Sequence, residues 1–221
     1  MGDVENRSDG QAHEQADGQA RDDAAPPRRQ ARGVRRRTAI VRAAADLILR
    51  DGPGALSHRS VAAEADVPLA ATTYYFAGLD EIVAEAGRVL SAGWAQSAGA
   101  QVAVARRAVA SGEVGPSVAG RRRSAEILVD AIVPDGDRTA VRGFYEQLAG
   151  AGRNPALEAA YAAGREALDV AIAELADVLG VGPGVQVLVA VVDGAAVTAL
   201  AEGRDVRALA VDLVGQVLTD A

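Results

Sequence analysis

Residues 56–82, LSHRSVAAEADVPLAATTYYFAGLDEI, decide the fold of this chain. They read as two short helices joined by a tight turn, with a third helix beginning directly afterwards. Ser57 is placed to cap the first by accepting a hydrogen bond from a backbone N–H of its opening turn, and Val61, Ala62 and Ala65 then share one apolar face. The pattern breaks at Asp66, a residue that tolerates positive φ better than most, though less well than glycine. Pro68 follows with φ already set for a first helical turn, so the second helix should cover residues 68–75. This is a helix-turn-helix pattern, with its polar residues gathered where such a unit would meet a DNA groove.

The charge around that stretch is uneven. The overall −7 divides into −5 over residues 1–27, +5 over 28–77 and −7 over 78–221, and every basic residue is arginine. One positive segment in an acidic chain is the asymmetry expected when one domain meets a polyanion and another does not. Arg28, Arg29, Arg32, Arg35, Arg36 and Arg37 form a basic run. In an arbitrary protein such a run is a solvated face; directly ahead of a helix-turn-helix it reads as an arm that adds phosphate or minor-groove contacts. Residues 1–30 are polar, mixed in charge and close on Pro26-Pro27, so they are expected to be a disordered tail, having too little apolar surface to offset ordering entropy. Ile40, Ala43, Ala44, Leu47 and Ile48 recur at helical spacing before Gly52-Pro53, which predicts a first helix over residues 36–50. A DNA-binding domain of residues 31–77 results.

The run GALSHRSVAAEADVPLAATTYYF followed by GLDEIV resembles the N-terminal DNA-binding domain of the TetR family of bacterial repressors. Ser57, Arg59, Val61-Ala62, Val67, Tyr74 and Phe76 keep the family's order and spacing, and Asp80-Glu81-Ile82 its acidic, apolar start of the next helix. The likeness covers residues 36–90. It implies that Leu69, Ala70, Ala71, Thr73, Tyr74 and Tyr75 face DNA. The alanines and Leu69 cannot form bidentate hydrogen bonds with a base edge and would offer apolar contact, for instance to a thymine methyl, whereas the tyrosine phenols reach phosphate. Ser57, His58 and Arg59 sit at a helix N-terminus that favours phosphate, with Arg36 and Arg37 contributing from the arm. For His58 an unengaged, exposed ring is the competing reading; for Tyr74 and Phe76 it is core packing. Two departures stand out: Leu79 replaces the family's usual lysine at the start of the fourth helix, and Thr73 replaces the first of its usual tyrosine pair.

The remaining residues, 78–221, read as a second helical domain, giving an all-α chain: a three-helix N-terminal helix-turn-helix domain and a C-terminal helical ligand-binding and dimerisation domain. Helices are expected from Leu79 to about Ala110, over 121–133, 138–149, 155–180, 185–202 and 205–219, with Asn154 and Pro155 as cap and first-turn proline. Trp94, Phe144, Tyr145, Gln147 and Tyr161 are candidates for a pocket wall, Trp94 equally for ordinary core. The last two helices are apolar on nearly all sides and must be covered twice over. Val187, Leu188, Val191, Val192, Ala195, Ala199, Leu209 and Leu213 are therefore candidates for a four-helix interface with a second copy; central helices of a monomer would show the same composition.

With no cysteine and only His13 and His58, thiolate chemistry is excluded and neither a metal site nor a cofactor is expected. No nucleophile and base pairing or phosphate-binding glycine loop marks an enzyme. The richest apolar run is interrupted by Asp193 and Gly194, and the charged N-terminus lacks a signal-peptide core, so a soluble cytoplasmic protein without a membrane partner is expected. The resemblance implies a regulator, a repressor, that binds a near-palindromic double-stranded operator as a homodimer and is released by a small-molecule effector. The alternative is a helical protein-interaction module that has lost DNA binding.

Overall fold

The computed structural model describes residues 26–218, which contain helices and turns and no strand. The tail expected over residues 1–30 lies mostly outside the described residues. The chain divides into two units, Met1–Arg37 and Thr38–Ala221. The first helix, α1 (Pro26–Asp51), begins ten residues before the sequence-based start. Pro26 occupies a first-turn position where a missing N–H costs nothing, and the arginines, glutamine and alanine that follow are good helix formers, so the basic run is helical.

A 3₁₀ turn over Pro53–Ala55 leads into α2 (His58–Glu64), α3 (Leu69–Tyr75) and the long α4 (Leu79–Ala110). Then come α5 (Val118–Ile132), α6 (Arg138–Gly150), a 3₁₀ turn over Ala151–Arg153, α7 (Pro155–Leu179), α8 (Val185–Glu202) and α9 (Val206–Val217). Side-chain caps set several of these starts. The Ser117 hydroxyl accepts from Gly120 N at 3.0 Å and opens α5 three residues before Arg121. Asn154 Oδ1 accepts from Ala156 N and Leu157 N, each at 3.1 Å, and Gly180 closes α7 with φ 65°.

Two apolar cores result. One joins Ile40, Ala44 and Ile48 of α1, Val61 of α2, Phe76, and Ile82, Val83 and Ala86 of α4, and takes Leu157 from α7. The other collects Ala98 to Ala108 of α4 with the inner faces of α5 to α9. Helix α4 runs through both, and Trp94 packs partly against each. Its main partner is α7. The approach is close because a Cβ on Gly87 would stand 2.7 Å from Ala160 Cβ, and one on Gly164 would collide with Ser91. The helix-turn-helix is thus seated on the same two helices that enter the C-terminal core.

Candidate functional site

The turn between α2 and α3 is closed by Val67 N donating to Ala62 O at 3.0 Å, and Asp66 adopts φ 50°, the one positive φ of a non-glycine among the described residues. Helix α2 is capped reciprocally: Ser57 Oγ accepts from Ser60 N at 3.0 Å and Ser60 Oγ accepts from Ser57 N at 2.9 Å. Arg50 holds Glu64 through two bonds of 3.1 and 2.9 Å, tying the end of α1 to α2 and keeping the Glu64 carboxyl below its ordinary range.

On α3, Leu69, Ala70, Thr73 and Tyr74 are exposed, Tyr74 at 79%, while Ala71 and Tyr75 are half-buried. Tyr74 stands outside the core and Phe76 lies within it at 3% exposure. The Tyr74 and Tyr75 rings meet edge to face at 4.9 Å. Ser57 and Arg59 are exposed at the opening of α2. Leu79, where the family's lysine would stand, is half-buried against the N-terminal core, so that position serves packing. In the first unit, Arg36 is exposed and Arg37 half-buried.

His58 is neither free nor fully exposed. Its ring is half-buried, and Nδ1 lies 2.9 Å from Oγ1 of Thr72, a residue with no solvent exposure. The Thr72 hydroxyl spends its one hydrogen on Leu69 O at 2.8 Å, which leaves it to accept from Nδ1–H. A single side-chain bond therefore braces α3 against the first residue of α2. Sequence reading missed Thr72, since a hydroxyl at an inward position has no signature until its partner is located.

A cavity of about 390 Å³ lies between α4, α5, α6, α7 and α8. Trp94, Phe144 and Tyr161 form its aromatic wall: Trp94 meets Phe144 edge-on at 5.2 Å and Tyr161 at 4.7 Å. The other two expected pocket residues stand one layer behind. Gln147 is buried and accepts from the Tyr161 hydroxyl, with its own Nε2 lacking a hydrogen-bond partner. Tyr145 is buried and donates from its hydroxyl to Asp193 Oδ1 at 3.2 Å. Burial raises both phenols above their ordinary range. Asp193 itself lines the cavity; in sequence it registers only as a break in an apolar run. Burial pushes its carboxyl upward against the opposing pull of the Tyr145 hydroxyl and Arg165.

Helix α6 also lies close against the end of α1, where a Cβ on Gly143 would stand 2.8 Å from Leu49 O. Phe144 and Tyr145 follow directly in sequence.

The residues expected at a dimer interface divide between two sides of the last helices. Leu188, Val192, Ala195 and Ala199 are buried inside the chain itself, because α8 must fill its own core before it can offer a surface. Val187 is exposed and Val191, Leu209 and Leu213 are half-buried; with Ala190, Gly194 and Val197, the exposed side of α8 is small and apolar. By length and composition alone α8 could cross a membrane, but its inner face belongs to the C-terminal core.

Residues 119–220 match the family model described as Tetracyclin repressor-like, C-terminal domain. Among solved structures, the multidrug binding protein EbrR complexed with ethidium is 33% identical, with 83% of this chain and 98% of that one covered and a TM-score of 0.57. Its complex with proflavin gives 34%, 84% and 98%, again with a TM-score of 0.57. A member of the TetR family from Streptomyces coelicolor A3 is 32% identical over 83% of this chain and 98% of its own, with a TM-score of 0.52. No curated protein matches. An all-α architecture, a braced helix-turn-helix, a C-terminal domain of the repressor type and identities above 30% over most of the chain lead to one assignment: the chain belongs to the TetR family of transcriptional regulators.

Proposed function

We propose that this protein is a cytoplasmic, ligand-responsive repressor that binds a near-palindromic duplex operator as a homodimer and releases it when a flat aromatic molecule enters the cavity. The observation that carries this reading is the course of α4. Its first three turns lie in the core beneath the helix-turn-helix, and Trp94, further along the same helix, forms part of the cavity wall. A molecule that favours one arrangement of Trp94, Phe144 and Tyr161 also biases the placement of α2 and α3, and by linkage DNA affinity changes by the same factor as effector affinity. The aromatic wall supports a flat effector, as do the EbrR complexes with ethidium and proflavin.

In this reading Tyr74, Tyr75, Thr73, Arg59 and Ser57 meet the backbone and groove, and Leu69, Ala70 and Ala71 offer apolar contact to bases. Arg36 and Arg37 add phosphate contacts. A second copy covers the exposed side of α8, with Val187 and Val191 at its centre. A short recognition helix with mostly small side chains binds weakly alone, and two of them held together address successive half-sites.

The test is selection of binding sites from random duplex DNA by the purified protein, followed by a salt titration on the winning sequence. An inverted repeat whose affinity falls steeply with salt is expected. No enrichment at low salt would refute DNA recognition and favour the interaction-module reading.

A further inference from the structure

We propose that the cavity selects aromatic cations and that Asp193 reads the charge. This rests on the cavity being the effector site, as proposed above. Between Val185 and Ala201, α8 carries one charged residue, Asp193, and that residue lines the cavity. The other charges that line the cavity are engaged within the chain. Asp130 and Asp135 are both held by Arg207, and Arg165 is directed onto Asp169 at 2.6 Å. Asp193 has no ion-pair partner among the described residues, only the Tyr145 hydroxyl at 3.2 Å.

A half-buried carboxylate bonded to one neutral hydroxyl, with only the field of an Arg165 already paired with Asp169 to offset its burial, is unfavourable for folding, and an apolar residue would pack there at lower cost. Fold stability therefore gives no reason for an acid at this point of an otherwise apolar helix, whereas recognition does. The aromatic wall points the same way, because the π-faces of Trp94, Phe144 and Tyr161 attract positive charge. Among the described residues no group of three metal-ligating side chains is assembled. One carboxylate beside three rings suits a delocalised organic cation better than an anion or a neutral ring, since Arg165, the one basic residue lining the cavity, is taken up by Asp169.

The experiment compares ethidium, a permanent cation, with its de-ethylated, uncharged phenanthridine parent. Binding is read by quenching of Trp94, the sole tryptophan, in the absence of DNA so that intercalation plays no part. The wild type should bind ethidium more tightly by about tenfold or more, the usual scale of one charge-assisted contact in a shielded site. Asp193→Asn should lose that preference by weakening ethidium alone, and Asp193→Glu should retain it. Equal affinity of the wild type for both rings, a result that needs no variant, would overturn the charge assignment. So would an Asn variant that weakens both ligands to the same degree. A wild type that binds its operator but neither ring overturns the effector reading of the cavity itself, a result distinct from binding both equally.

Discussion

The brace between α2 and α3 predicts that stability and DNA affinity part company at one residue. Thr72→Val keeps the shape of a fully buried side chain and removes its hydroxyl. His58 Nδ1 loses its partner at a half-exposed site, a cost of about 1 kcal/mol, while the added methyl recovers about 0.8 kcal/mol on burial. Net stability should therefore move by less than about 1 kcal/mol. Thr72→Ser does the opposite: it keeps the hydroxyl and deletes a buried methyl, at about 1 kcal/mol. Operator binding should reverse the order. With α3 unbraced in each half of the proposed dimer, a loss of about 1 kcal/mol per half-site amounts to roughly thirtyfold in affinity for the valine variant, whereas the serine variant should bind nearly as the wild type does. Urea denaturation and fluorescence anisotropy on a fixed operator measure the two quantities. A His58→Phe, Thr72→Val double-mutant cycle then tests whether the residues act as one unit. Valine binding like the wild type, or serine losing as much as valine, would refute the brace. A histidine variant that weakens binding while Thr72→Val does not would show instead that His58 touches DNA directly, since Thr72 itself has no exposed surface.

Three further outcomes follow from the geometry. Gly143→Ala places a Cβ 2.8 Å from Leu49 O, and that overpacking should destabilise the protein by about 1–3 kcal/mol, visible as a lower melting temperature; an unchanged melt would show that α6 yields freely. Because burial raises the Asp193 carboxyl, the native state holds that proton more tightly than the unfolded chain. Stability is then lost as pH rises through the window above the ordinary carboxylate value, and Asp193→Asn should melt higher than the wild type at neutral pH, with the gap closing below about pH 4; a gap that does not vary with pH contradicts the assignment. Tyr74→Phe and Arg36→Ala should weaken binding similarly across operator sequences, and Leu69 or Thr73 substitutions should change sequence preference, as competition between operator variants would reveal.

Local signals explain what was legible beforehand. The Ser57 cap, the Asp66 turn and Pro68 lie within a dozen residues, so their spacing alone specifies the helix-turn-helix. The Asn154 cap and the glycine at 180 bracket α7 closely enough to place it within one residue of its bounds. The early start of α1 was hidden because a run of arginines is equally compatible with a solvated arm and with a helix.

The cavity was legible only in part. Aromatic residues are scarce, at 3% of the chain, so Trp94, Phe144 and Tyr161 stood out as wall candidates. Which of the five candidates face the cavity and which stand behind it depends on helix rotation within the packed domain. The same holds for α8: its composition announces a helix covered on both sides but does not say which side the chain covers itself.

The sequence by itself determined the all-α class, the helix order and the helix-turn-helix, because capping, turn chemistry and hydrophobic period act between residues close along the chain. The tertiary structure alone decided that His58 pairs with Thr72 and that Leu79 turns inward. It also decided that Asp193, read in sequence as a flaw in an apolar helix, lines a cavity beside three aromatic rings. Those relations join residues 14 to 99 positions apart, and they exist only once the helices have chosen their neighbours and their rotation.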